Sequence, residues 1–266
     1  MKIFVIDMAL CNGCYNCQIA CKDEHVGNEW LPYALPQPDT GHFWCKINEI
    51  EHGSTPKVQV EYRLALCNHC DNAPCIENHP EAFYRRDDGL VILDPSKAGD
   101  EVLRQACPFG AIYWNEELKV AQKCTGCAHL IDEGKLPHCV DLCVVGALRF
   151  GEESEFTDQI AQADYYIEKS YGARVYYLNM PKLFIGGEVW DEQADEIIEG
   201  AKIALATADG SIIETRSDNF GDFWFKRLEA GTYDLTIAAK GYQDVIKPGI
   251  SLDMSLNIGD FPLVKV

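Results

Sequence analysis

The chain has 266 residues, 47% of them hydrophobic, and a formal net charge of −19 at pH 7. This length accommodates two domains of ordinary size, and the hydrophobic content suffices for buried cores, which excludes global disorder. The negative charge argues against nucleic acid and anionic membranes as partners, and no stretch approaches the roughly 20 apolar residues of a membrane-spanning helix.

The chain begins with a short apolar run over residues 1–7 that leads directly to Cys11. This run lacks the longer apolar core and the small-residue cleavage site of a secretory signal peptide. We therefore expect a cytoplasmic location, or export only together with a partner that carries its own signal.

The cysteines are unevenly distributed: all 13 lie between Cys11 and Cys143. Clusters of cysteines at short spacings are typical of metal sites, whereas disulfides more often spread through a secreted fold. We therefore expect a metal-binding domain over residues 1–150, in which ligand bonds replace much of the apolar core.

The first group, Cys11-x2-Cys14-x2-Cys17-x3-Cys21, has the spacing of the bacterial ferredoxin run, with Lys22 where proline is usual. Two-residue loops bring three thiolates onto one iron–sulfur cube, while the fourth thiolate reaches a different cluster. The spacing therefore predicts that the first three cysteines share one [4Fe–4S] cluster and that Cys21 binds another.

Residues 22–62 contain no ligand group and are rich in aromatic residues such as Trp30 and Trp44. We interpret this segment as a packed insertion or as an arm that faces a partner, and the sequence leaves both alternatives open. Its cysteine, Cys45, lies beside Trp44 and is interpreted as a buried thiol.

The middle group is Cys67-x2-Cys70-x4-Cys75, followed at a distance by Cys107. The crossing rule of two-cluster ferredoxins predicts that these four cysteines bind one cluster. A companion cluster would need a cysteine at position 79, where the chain has His79, and three more before Cys107. Because these are absent, the middle region is expected to bind one cluster, with His79 as a structural residue.

The last group has the spacing Cys124-x2-Cys127-x11-Cys139-x3-Cys143, which taken alone is also compatible with zinc. The ferredoxin run at the other end of the domain favours iron–sulfur clusters with ligands crossed between the two groups. The predicted ligand sets are Cys11, Cys14, Cys17 and Cys143 for cluster 1; Cys21, Cys124, Cys127 and Cys139 for cluster 2; and Cys67, Cys70, Cys75 and Cys107 for cluster 3.

Three residues beside these cysteines are candidates for tuning a reduction potential. His69 and His138 could each donate a hydrogen bond to a sulfur, and Lys123 could act through its charge. The simpler alternative is that all three are ordinary core or surface residues. We expect no catalytic residue in this chain.

The pattern of residue types changes after the last cysteine. Residues 151–182 are predicted to form a helix, over 157–171, and a linker with a short extended segment over 174–178. From residue 183 to 266, short apolar runs alternate with turn signals such as Asp209-Gly210, which predicts a β-sandwich. That domain contains neither cysteine nor histidine, so we expect a structural or interfacial role.

Together these motifs resemble the iron–sulfur subunits of molybdopterin oxidoreductases of the dimethyl sulfoxide reductase family. Members of that family commonly hold four clusters in two ferredoxin-like halves, and this chain departs from them by lacking one. Within the family, the pattern is most similar to the small subunits of pyrogallol–phloroglucinol transhydroxylase and catechol dehydroxylases. The segments that carry the resemblance are 67–75 (CNHCDNAPC), 107–112 (CPFGAI), 122–130 (QKCTGCAHL) and 143–148 (CVVGAL).

The resemblance implies an α+β fold in which a duplicated bacterial-ferredoxin-like [4Fe–4S] domain precedes an all-β sandwich. Segments 219–223 (NFGDF) and 231–233 (GTY) make that sandwich similar to the carboxypeptidase-regulatory domain, of immunoglobulin- or transthyretin-like type. The implied assembly is a heterodimer, in which a large subunit carries molybdopterin with molybdenum or tungsten and acts on polyhydroxylated aromatics. The present chain would relay electrons to or from that centre.

Two other functions are compatible with parts of the pattern. A free-standing polyferredoxin would use the same clusters, although the 22–62 segment and the added β-domain are unusual in a small diffusible carrier. A zinc-binding scaffold would use paired cysteines, but the ferredoxin spacing disfavours it.

Overall fold

The computed structural model describes residues 1–266 and contains two compact units. The first unit consists of residues 1–49 and 62–180, and the second of residues 50–61 and 181–266. None of the helices has both the length and the apolar character needed to cross a membrane.

Strands dominate the secondary structure, and the helices are short. The strands are β1 (Lys2–Asp7), β2 (Lys46–Ser54), β3 (Lys57–Ala65), β4 (Phe83–Arg85), β5 (Val91–Leu93), β6 (Ile112–Asn115), β7 (Val120–Lys123), β8 (Leu148–Glu152), β9 (Val175–Leu178), β10 (Leu183–Asp191), β11 (Glu196–Ile197), β12 (Lys202–Thr207), β13 (Ile212–Arg216), β14 (Asp222–Leu228), β15 (Gly231–Ala238), β16 (Val245–Leu252) and β17 (Leu256–Leu263). The α-helices are α1 (Asn16–His25), α2 (Pro74–Asn78), α3 (Ala128–Asp132), α4 (His138–Asp141) and α5 (Thr157–Ile160). Short 3-10 helices lie at Pro95–Lys97, Glu101–Ala106, Glu153–Phe156 and Lys169–Tyr171.

The apolar run at the start of the chain forms the central strand of a three-stranded sheet in the first unit. Strand β1 pairs antiparallel with β8 and parallel with β9. Because side chains alternate along a strand, Phe4 belongs to the core that contains several of the cysteines, while Ile3 and Val5 pack with Phe156 on the other face. Burial on both faces accounts for the unbroken apolar character of this segment.

Two small hairpins, β4–β5 and β6–β7, surround the middle cysteine group. Apolar residues of these hairpins, including Phe83, Leu93 and Trp114, form a separate hydrophobic core. His79, at the position where a second cluster would need a cysteine, follows the end of α2. Its ring Nδ1 lies 3.4 Å from Glu81 Oε1.

The predicted helix over residues 157–171 is wrong in its length, because α5 ends at Ile160. Asp164 pairs instead with Tyr177 of β9 through two backbone hydrogen bonds of 2.8 and 3.0 Å. The rings of Tyr165 and Tyr166 pack against Tyr176 and Tyr177, respectively. This tertiary pairing outweighs the local helical pattern. The extended segment predicted over 174–178 is confirmed as β9.

The second unit contains two four-stranded sheets that share one apolar core. In one sheet β10 pairs with β11, β14 and β17, and the other has the order β13-β12-β15-β16. The predicted strands of this unit are confirmed as β10 and β12–β15. Strands β11, β16 and β17 were not predicted. β11 has only two residues, and Pro248, Gly249 and Gly259 interrupt the apolar pattern of β16 and β17.

The 22–62 segment is divided between the two units. Residues 22–49 belong to the first unit, and residues 50–61, the end of the β2–β3 hairpin, belong to the second. Within the second unit the Lys57 ammonium, which is buried, forms an ion pair with Asp222. Asn257 Nδ2 also donates to the Thr55 carbonyl at 3.2 Å.

We expect Leu235→Ala to lower the free energy of unfolding by about 2–5 kcal/mol, because it removes a fully buried side chain that faces Leu205 in the sheet register. Urea unfolding of the intact chain, followed anaerobically by circular dichroism, measures this change. Ile246→Ala is the matched control, since that side chain is 68% exposed and its loss should change stability by no more than about 0.5 kcal/mol. Equal effects of the two substitutions would contradict the assigned core.

Candidate metal centres

The four cysteines predicted for cluster 1 line one cavity. Cys11, Cys14, Cys17 and Cys143 surround about 390 Å³ of non-protein space that is partly open to solvent. The Leu148 N–H, at the start of β8, donates to Cys143 Sγ at 3.3 Å.

Backbone geometry makes this loop possible. Gly13 has a φ of +70°, and a Cβ at this position would lie 2.3 Å from the Tyr62 ring. Tyr15 is also left-handed, with a φ of 62°, and turns the chain into α1. The glycine is therefore required by both its conformation and its neighbour.

The four cysteines of the middle group also line one cavity. Cys67, Cys70, Cys75 and Cys107 surround about 370 Å³ of non-protein space. His69 and Lys123 line the same cavity, together with apolar residues such as Phe109 and Ile112. Thiols from two distant loops are thus brought to one place, with one imidazole and one ammonium among them.

The four cysteines predicted for cluster 2 are all buried. Burial raises the pKa of Cys21, and the charges of Cys124 and Cys139 raise it further. Burial also raises the pKa of Cys127, and the charges of Cys139, Cys21 and Cys124 raise it further. Four thiols therefore lie close enough together to resist joint ionisation.

The thiol environment fits a cationic iron–sulfur core. Burial raises the pKa of Cys70 to about 12, that of Cys75 to about 11 and that of Cys124 to about 12. Thiolates in such surroundings need a bound metal to be stable, because coordination deprotonates a thiol outright. No group of three or more His, Cys, Asp or Glu side chains is arranged to hold a single metal ion.

Lys123 provides a second observation that fits an anionic group. Its side chain is only 3% exposed, and Nζ donates to the carbonyls of Val91 at 2.5 Å and Cys124 at 2.7 Å. No carboxylate pairs with it. A buried ammonium without a counter-charge is costly, and a cluster bound by four thiolates would supply that charge.

Cys45 lies between the first and second groups. It is 1% exposed, as expected for a packed thiol, and hydrogen bonds with Cys139 and Cys17 raise its pKa. Burial is the main reason for the raised pKa of Cys124, and the charge of Cys67 in the middle group raises that pKa further. The second group is therefore a neighbour of both of the others.

Two polar residues near the second group were not identified from the sequence. His25 Nε2 lies 3.9 Å from Cys127 Sγ, and Gln37 Nε2 lies 4.0 Å from Cys21 Sγ. The sequence did contain a signal for His25. This residue follows Cys21 by four positions, so the two side chains share one face of α1. No signal marked Gln37, which lies in an irregular segment.

His138, which the sequence suggested as a donor to a sulfur, has its ring beside a carboxylate. Its ring Nδ1 lies 2.8 Å from Glu24 Oε2, and His129 Nε2 lies 2.9 Å from the other oxygen of the same carboxylate. The ring is directed to a carboxylate because α1 and α4 pack against each other. The backbone of His138, in contrast, hydrogen bonds with Cys127 and lowers its pKa against the dominant effect of burial.

Two family models match the chain. One, described as a 4Fe-4S dicluster domain, matches residues 58–153, and the other, a carboxypeptidase regulatory-like domain, matches residues 185–258. Among solved structures, the Bacillus anthracis TIE protein covers 35% of this chain and 18% of its own, with 18% identity and a TM-score of 0.29. That likeness is too low to support a fold assignment.

Curated relatives match at higher identity. The pyrogallol hydroxytransferase small subunit of Pelobacter acidigallici is 36% identical over 270 residues, which covers 96% of each chain. One subunit of the tetrathionate reductase of Salmonella typhimurium is 34% identical over 59% of this chain and 60% of its own. One subunit of the anaerobic dimethyl sulfoxide reductase of Escherichia coli is 34% identical over 57% of this chain and 74% of its own.

We expect Cys107→Ala to remove one cluster, or convert it to a three-iron form, while two clusters remain intact. The reason is that Cys107 completes only the middle group. Iron analysis and electron paramagnetic resonance of the anaerobically purified protein measure the change. Cys45→Ala is the matched control and should retain all the iron. Unchanged iron content and cluster type in Cys107→Ala would show that the middle group is assigned wrongly.

Proposed function

Since the chain belongs to the family of iron–sulfur small subunits of molybdopterin oxidoreductases, we propose that twelve of its thirteen cysteines hold three [4Fe–4S] clusters. The chain's own role is electron transfer. The observation that carries the proposal is the convergence of thiols from distant segments into three groups of four. Each cluster, when bound, supplies a centre that gains and loses one electron.

The adjacency of the groups supports a relay. The second group, Cys21, Cys124, Cys127 and Cys139, neighbours both of the others. Cys45 lies between it and the first group, and the charge of Cys67 in the middle group acts on Cys124. The cysteines of the second group are buried, whereas Cys14 of the first group is exposed. The exposure of Cys14 supports the first group as the point at which electrons enter from, or leave to, another protein.

The partner is a large catalytic subunit that carries molybdopterin with molybdenum or tungsten. The relatives support this assignment, because each of them is one subunit of a larger enzyme. The full-length match to a pyrogallol hydroxytransferase small subunit supports polyhydroxylated aromatics as the substrates of that partner. Substrate chemistry belongs to the partner.

The finer fold is part of the same proposal. The dicluster match supports a duplicated bacterial-ferredoxin-like domain over residues 1–150, and residues 151–180 complete the unit that contains it. The two sheets around one core, together with the match to a carboxypeptidase regulatory-like domain, support an immunoglobulin- or transthyretin-like sandwich over residues 183–266.

The test is the metal content of the native protein, purified anaerobically with whatever accompanies it. We expect about twelve irons per chain, as three [4Fe–4S] clusters require, with molybdenum or tungsten on a larger co-purifying subunit. The same iron content without a partner or either heavier metal would favour a free-standing polyferredoxin. Zinc in place of iron would overturn the proposal.

A further inference from the structure

His69 presents an N–H group that has no partner in the protein. It lies in the loop between Cys67 and Cys70 and is 1% exposed. The Val91 backbone N–H donates to His69 Nδ1 at 3.0 Å, so Nδ1 is the acceptor of the ring and the proton is on Nε2. Nε2 is buried and forms no hydrogen bond.

The residue that carries this orphaned donor lines the middle cavity. His69 lines that cavity together with the four cysteines of the group, and its backbone φ of 45° fixes the loop that presents the ring. The remaining lining is largely apolar, with Val91, Phe109 and Ile112. Since buried donors are almost always satisfied, the cavity is built for an acceptor.

Lys123 brings a positive charge to the same cavity. Lys123 lines the cavity together with the four cysteines. Both carbonyl partners of Nζ are neutral, so its charge has no partner among the carboxylates. In contrast, no lysine, arginine or histidine lines the cavity of the first group.

We propose that His69 and Lys123 set the reduction potential of the middle group's cluster, which is held by Cys67, Cys70, Cys75 and Cys107. His69 donates a hydrogen bond from Nε2 to a cluster sulfur, and Lys123 provides the positive counter-charge. Reduction adds one electron to an anionic group, and a donor and a cation both stabilise the product. The middle group's cluster therefore has a higher potential than the cluster of the first group. This inference rests on the proposed function.

The first test is His69→Asn. Asparagine tolerates the left-handed backbone and keeps an acceptor near Val91 N–H, but it cannot reach the cavity as Nε2 does. In potentiometric titrations followed by electron paramagnetic resonance, we expect one of three signals to shift to lower potential. At a fixed solution potential the ratio of reduced to oxidised cluster should fall about tenfold, which corresponds to a decrease of about 59 mV in the reduction potential. The signal that shifts must be the one absent in Cys107→Ala.

The control for the histidine is His79→Gln. His79 also follows the middle cysteines, but its ring is directed towards Glu81, so this substitution should leave all three potentials unchanged.

Lys123→Met tests the charge without altering His69. We expect the same signal to shift downwards, with the signal of the neighbouring second group also lowered, since Lys123 is adjacent to Cys124. Lys119→Met, which removes an exposed ammonium at the end of the same hairpin, is the control and should shift nothing.

The outcomes separate this inference from the proposed function. If the unmodified protein lacks three clusters, the proposed function fails first. If all the iron is retained and neither His69→Asn nor Lys123→Met moves the middle potential, the inference is wrong although the function stands. Loss of the middle cluster in both variants would assign the two residues a purely structural role and would also overturn it.

Discussion

The convergence of cysteines from opposite ends of the first unit is the constraint on which the rest of that unit depends. Cys143 lines the same cavity as Cys11 and Cys17, although they are far apart in sequence. Strand β1 ends just before Cys11, β8 begins just after Cys143, and the two strands pair antiparallel. A sheet register thus brings the ends together, and ligand bonds would offset the entropy of closing so long a loop.

The features that could be predicted from the sequence are those that depend on residues close together in the chain. The spacing of three cysteines within one loop is a matter of reach, so the groups could be predicted without knowledge of the fold. The alternation of short apolar runs with turns located five strands of the second unit in the same way. The helix over 157–171 failed because a distant strand, β9, pairs with Asp164 and outweighs the local pattern. The placement of Gln37 depends equally on tertiary structure.

The departure from the ferredoxin run at Lys22 has a structural counterpart. Proline cannot occupy a helix interior, because it lacks the N–H group and its ring collides with the preceding turn. With lysine at this position, α1 continues to His25. The His25 ring then lies between Trp44 and His129, with Nε2 near Cys127 Sγ. One substitution thereby extends a helix and adds an imidazole beside the second cysteine group.

The division of the β2–β3 hairpin between the units affects how the chain folds as it is synthesised. Residues 50–61 emerge from the ribosome well before residues 181–266, with which they form the second unit. Until the C-terminal strands are made, Lys57 has no Asp222 to pair with. The second unit therefore cannot be removed by truncating the chain at one point. Cutting the chain after residue 180 would leave the end of the β2–β3 hairpin exposed. Exchanging the sandwich between relatives would require exchanging the hairpin as well.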